Sequence, residues 1–237
     1  MNGQRKTGAL LGYANIIAKN LVNIIYVPLL LHFIGQADYG VFQMTNSVVF
    51  ALTLLSAGFY GSYVRFYMRE KTRDNELGIR RLNGMFLLVY AVVSSLCLIG
   101  GTALTINVRS FFSGGLTASE LVLARELMGI MTVNVAIQLL STPFDSYIVS
   151  HEKFVFQQSR QLLTSIAQPF LAVLLLWLGM GAVGVACAQL TITSVLLLMN
   201  IWYATRTLGM RFTFKGLEWS MFKAMFLYTS HISPCSN

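Results

Sequence analysis

A 237-residue chain that is 55% hydrophobic and only 11% charged, with a mean hydropathy of +0.63, has too few charges to cover a water-exposed surface. Soluble domains carry about 25% charged residues, so the composition excludes an ordinary soluble protein and points to an integral membrane protein. The net charge of +8 does not imply a nucleic-acid partner, because the basic residues collect in short loops between apolar runs and form no continuous stripe.

A helix needs about 20 apolar residues to cross about 30 Å of hydrocarbon. Six runs meet that length, at 8–34, 41–67, 83–107, 122–149, 160–178 and 182–204. The expected fold is therefore all-α, a polytopic bundle of six spans over residues 1–204. The first run contains GYANIIAKNLVNIIYVPLLLHFIG, with Asn15, Lys19, Asn20 and Asn23 among apolar residues. On a helix Asn15, Lys19 and Asn23, spaced by four, stack on one face that Gly12 and Tyr26 extend, while Asn20 points elsewhere. A lysine at the bilayer centre costs about 2.5–3.5 kcal/mol and marks a functional site by default. The alternative is snorkelling at the membrane edge, and the register alone allows both.

Arg65 stands near the end of the second run and opens RFYMREKTRDNELGIRR, which is rich in Arg and Lys. Arg65 suits either a cavity or an interfacial anchor with Tyr67. The fourth run holds Arg125 and Glu126 near one end, which suit a gate or plain solvation. Adjacent helical residues do not face each other, so no mutual pair is expected. Asn134 and Gln138 follow, spaced by four, placed to line a cavity or to bond between helices. Asp145 comes just after Pro143, a residue expected to kink the helix. Asp145 could bind a coupling cation or pair with Arg160. Between the fifth and sixth runs, GMGAVG (179–184) matches G-x-G-x-x-G literally. It lacks the preceding strand and the later acid of a dinucleotide site, so it reads as a tight turn between antiparallel spans. Residues 205–237 read as a cytoplasmic connection and the start of an incomplete seventh span.

The loops set the orientation. All of the 17 basic residues except Lys19, Arg109 and Arg125 fall before span one, at or between the facing ends of spans two and three or four and five, or after span six. The positive-inside rule makes that side, and the amino terminus, cytoplasmic. The first run is too long for a signal-peptide core and no cleavage site follows it. Of the three cysteines, Cys97 and Cys187 lie inside apolar runs and only Cys235 in the tail, so no disulfide framework is expected. His32, His151 and His231 lie apart, and no metal, cofactor or catalytic motif is legible.

Several stretches in order resemble the polysaccharide and O-antigen transporters, lipid-linked oligosaccharide flippases of the multidrug/oligosaccharidyl-lipid/polysaccharide exporter superfamily. They are PLLLHFIGQADYGVFQ (28–43), LLSAGFYGSYVRFY (54–67), PFDSYIVSHEKFVFQQ (143–158) and LLLWLGMGAVGVACAQLTITSVLLLMNIWYA. The resemblance covers about residues 8 to 230. It departs where members often carry an aspartate before the helix-two glycine and this chain has Ser56 and Ala57. It implies the amino-terminal lobe of a 12–14-span fold in the bacterial inner membrane. Membrane lipids, an anionic lipid-linked oligosaccharide and polysaccharide assembly proteins would be its partners. It gives Asn15, Lys19, Asn23, Arg65, Asn134 and Gln138 a substrate cavity to line, and Arg125, Glu126 and Asp145 a part in gating or coupling. The rival readings are a drug or cation exporter of the same superfamily, a polysaccharide-processing membrane enzyme, and a nonfunctional truncated fragment.

Overall fold

The structure is a computed structural model that describes residues 2–54, 57–112 and 115–214. Every regular element among them is helical. In chain order these are α1 (Asn2–Leu54), α2 (Ala57–Thr72), α3 (Glu76–Ile106), the one-turn α4 (Val108–Phe111), α5 (Ala118–Ser150), α6 (Phe154–Trp177) and α7 (Gly181–Trp202). A π-helical turn, Tyr203–Thr207, closes the series. The seventh span expected over 215–237, with His231 and Cys235, lies outside the described residues.

Five helical stretches are long and apolar enough to cross a membrane, the first being Leu11–Ala51. That stretch, 41 residues long, would measure about 60 Å at 1.5 Å per residue, twice the hydrocarbon thickness. It is broken at Gly35, where φ is 78° and ψ 168°. That backbone conformation is open to glycine and strained for other residues. The two expected spans 8–34 and 41–67 therefore join at one residue rather than through a loop over 35–40. The second is described over 41–54 in α1 and 57–67 in α2.

The other boundaries follow local chemistry. Thr117 and Glu120 form a reciprocal capping box at the start of α5, which satisfies two otherwise orphaned N–H groups. Asn75 Oδ1 accepts from Gly78 N–H at 2.9 Å to start α3. Between α6 and α7 the chain turns through Gly179 (φ 81°) and Gly181 (φ 55°), so GMGAVG starts in the turn between helices and its last four residues open α7. Pro143 does not break α5, which stays helical from Ala118 to Ser150. The proline removes one intrahelical bond, and the residue is held in place by complete burial.

α5 is the central element and touches α1, α2, α3 and α7. Its contact with α3 is close enough that a Cβ on Gly101 would lie 2.2 Å from Thr132 Cγ2. Ser94 Oγ on α3 donates to Ala136 O on α5 at 2.9 Å. The outer faces are apolar stripes at helical spacing. Leu88, Val92, Leu96 and Ile99 are exposed on α3; Leu163, Ile166, Phe170, Leu174 and Trp177 on α6; Val195, Leu198 and Trp202 on α7. Such stripes require an apolar solvent, so the architecture is that of a multi-pass membrane protein.

After the π-turn the chain folds back as a strap, residues 208–214, across one end of α3 and α5. Thr213 N–H donates to Arg80 O at 3.0 Å. Asn83 Nδ2 donates to Arg211 O at 3.0 Å, while Asn83 Oδ1 accepts from Tyr63 at 2.6 Å. Gly84 makes the approach possible, since a Cβ there would sit 2.5 Å from Thr213 O. Met210 is buried beneath the strap, and Phe212 meets Phe144 edge to face.

Candidate functional site

A polar cavity of about 340 Å³ opens between α5, α6 and α7. Each helix contributes one stripe spaced by three or four residues, the spacing that places side chains on a single face. α5 supplies Asn134, Gln138, Ser141, Thr142 and Asp145. α6 gives Arg160, Thr164 and Gln168, and α7 gives Gln189, Thr193 and Asn200. Among the described residues only Ile192 and Leu196 on α7 make its wall apolar, and no aromatic ring lines it.

The charges sit at one end. Asp145 lies five residues before the end of α5 and Arg160 six residues after the start of α6, so both are within about 10 Å of the 151–153 connection at 1.5 Å per residue. Arg160 donates to Asp145 Oδ1 at 2.6 Å. Its other terminal nitrogen donates to Asn200 Oδ1, and Asn200 Nδ2 donates in turn to Ser141 Oγ at 2.8 Å. The arginine thus ties three helices together. Hydrogen bonds to charged groups contribute about 1.5–3 kcal/mol each, and removing one partner of a desolvated pair costs about 3–5 kcal/mol. Deeper in the bundle the lining changes. Asn134, 16 residues from the end of α5, and Gln168, 14 residues into α6, lie about 20 Å from the connection. There the groups are neutral amides and hydroxyls. Asn134 is 4% exposed, and its Oδ1 has no hydrogen-bond partner.

The arrangement can donate to and accept from a hydroxylated ligand, and it holds one internally neutralised charge pair. Among the described residues no group of three His, Cys, Asp or Glu could hold a metal ion.

No family model matches the sequence, and no curated protein matches it significantly. Solved structures do. The outward-facing conformation of a multidrug resistance MATE family transporter of the MOP superfamily superposes with a TM-score of 0.67 at 16% identity. The alignment covers 94% of this chain and 51% of that one. A MOP superfamily transporter from Pyrococcus furiosus Vc1 (DSM3638), described by the reverse polarity of its binding pocket, gives a TM-score of 0.62 at 19% identity. Here the coverage is 94% and 49%. The chain has the fold of half a MOP superfamily transporter. It spans about half the length of both structures it matches.

Within this fold, the cavity gathers Asn134, Gln138 and Asp145 from the residues singled out in the sequence. The other six lie elsewhere. Asn15 is buried on α1 against α6, with Ser165 Oγ 3.1 Å from its Oδ1, and Gly12 faces Gln158 on the same seam. Lys19 and Asn23 are exposed. A four-residue step advances 40° beyond a full helical turn, so the stripe drifts off the α1–α6 seam. Arg65 is exposed on α2, and Arg125 and Glu126 on α5. Thr164, Gln168, Gln189, Thr193 and Asn200 were not singled out in the sequence. Their signal was present as polar residues at fourfold and sevenfold spacing inside two apolar runs.

The bundle carries a second polar cluster beneath the strap. Tyr67 Oη lies 3.0 Å from His151 Nε2, and His151 Nδ1–H donates to Tyr147 O at 2.9 Å. In the neutral imidazole Nε2 is then the acceptor for the Tyr67 hydroxyl. Burial lowers the His151 pKa; the bond to Tyr147 O opposes the shift, and Lys71 and Lys153 add to it.

Proposed function

We propose that the chain forms the amino-terminal lobe of a bacterial inner-membrane flippase. Its cargo would be lipid-linked oligosaccharides, precursors of O-antigen or capsular polysaccharide, moved by alternating access. The observation that carries this reading is the lining of the α5–α6–α7 cavity. Amides and hydroxyls, which both donate and accept, suit a sugar. Carrier tails can stay in lipid while the headgroup follows a polar path between lobes. The loop charges favour a cytoplasmic amino terminus.

The two MOP transporters support a transporter rather than a membrane enzyme. A multidrug activity like that in the first one's description is the competing reading. It is disfavoured because lipophilic cations are bound by aromatic faces and free acids, whereas among the described residues this cavity has no ring and its single acid is held by Arg160. Deletion in the source organism should abolish surface polysaccharide, and the full-length gene should restore it. Unchanged polysaccharide in a strain without a redundant flippase, or drug sensitivity alone, would overturn the reading.

A further inference from the structure

The cavity has two ends of different chemistry, and we infer that only the deep, neutral end reads the ligand. The geometry points to a subsite for an uncharged, hydroxyl-rich group, with Asn134 Oδ1 as its buried acceptor. This rests on the transport reading above and adds which residues recognise the cargo and which do not.

Three observations converge. First, Asn134 is buried to 4% exposure, lines the cavity and carries an unpartnered Oδ1. Buried polar atoms in folded proteins are nearly always hydrogen-bonded, and a ligand hydroxyl donating there would satisfy this one. Second, Gln138, Gln168, Gln189 and Thr193 share the cavity with it. Each amide offers donors and an acceptor, so hydroxyls can be bonded in either sense without a net charge. Ile192 and Leu196, one helical turn apart on α7, give the same space an apolar wall, which suits the C–H face of a pyranose ring. Third, the charged end is already committed. Arg160 is bonded to both Asp145 and Asn200, so its charge is already balanced by Asp145 inside the bundle and an added anion would meet a neutralised pair. The Asp145–Arg160 pair is therefore a positioning element, while Asn134 is the specificity residue.

The test uses the full-length protein in nanodiscs of uncharged lipid. The probes are octyl maltoside, octyl phosphate and octyltrimethylammonium, each below its micellar concentration, with headgroup contacts read by saturation-transfer NMR. Octyl maltoside should bind. Asn134→Leu should weaken it about tenfold or more, the scale of one lost buried hydrogen bond. Asn134→Asp, which keeps an acceptor, should retain binding within about threefold. If Asn134→Leu does not fold, Asn134→Ser also withdraws the carbonyl and carries the same expectation. No binding of octyl maltoside, or binding indifferent to both variants, overturns the subsite. Octyl phosphate binding that disappears in Arg160→Gln overturns the division of the cavity but leaves a lipid-linked sugar phosphate as cargo. Binding of octyltrimethylammonium alone overturns both the subsite and the proposed function.

Discussion

At the scale of single residues, the polar groups in this bundle fall into three kinds. Asn15 closes a helix seam, Arg160 joins three helices, and Asn134 stands ready to accept. His151 is the titratable example. Its folded-state pKa is lowered, chiefly by burial, so the folded protein binds fewer protons than the unfolded chain between that lowered value and about 6.5. Stability should therefore rise with pH through this window and level off above it. A series of thermal unfolding curves from pH 5 to 7.5 checks the slope. His151→Gln, which can still bond Tyr67, should flatten it; an unchanged slope would assign the proton to another group.

At the scale of elements, the long apolar helices were legible because hydropathy reports a preference for lipid directly. The GMGAVG turn was legible because its flanks were apolar. The join at Gly35 was not, since QADYGVF looks like a loop by composition while the helix resumes immediately beyond one left-handed glycine. Cavity membership was half legible. Asn134, Gln138 and Asp145 stand out in span four, but the stripes on α6 and α7 acquire meaning only when three helices face each other. Lys19 drew attention by its cost in lipid, yet the helix phase turns it away from the α1–α6 seam. The strap was invisible, because nothing local marks Gly84 as its seat. Gly84→Ala should push Thr213 away, costing about 1–3 kcal/mol as overpacking does. Amide hydrogen exchange over 208–214 should accelerate in this variant while exchange within α5 stays slow. Equal acceleration in both would show that the strap does not open by itself.

For the whole molecule, the apolar outer stripes, the central α5 and the polar cavity describe a bundle that carries apolar stripes outside and a polar cavity between three of its helices. The orientation expected from loop charge gives a direct check. In a cysteine-free background, cysteines placed at Arg73 and Glu152 should react with an impermeant maleimide only from the cytoplasmic side. One placed at Met180, in the turn between α6 and α7, should react only from outside. The opposite pattern would reverse the topology and the direction of export.

The strap also alters how the lobe is mechanically joined to residues 215–237. α7 ends at Trp202, but Thr213 is fastened to the first turns of α3 and Tyr147 of α5 reaches Leu208 O. A pull from those later residues is borne first by α3 and α5, and only then by the helix that precedes them in the chain. The load path therefore skips α7, one wall of the cavity, and runs into the helix at the lobe's centre.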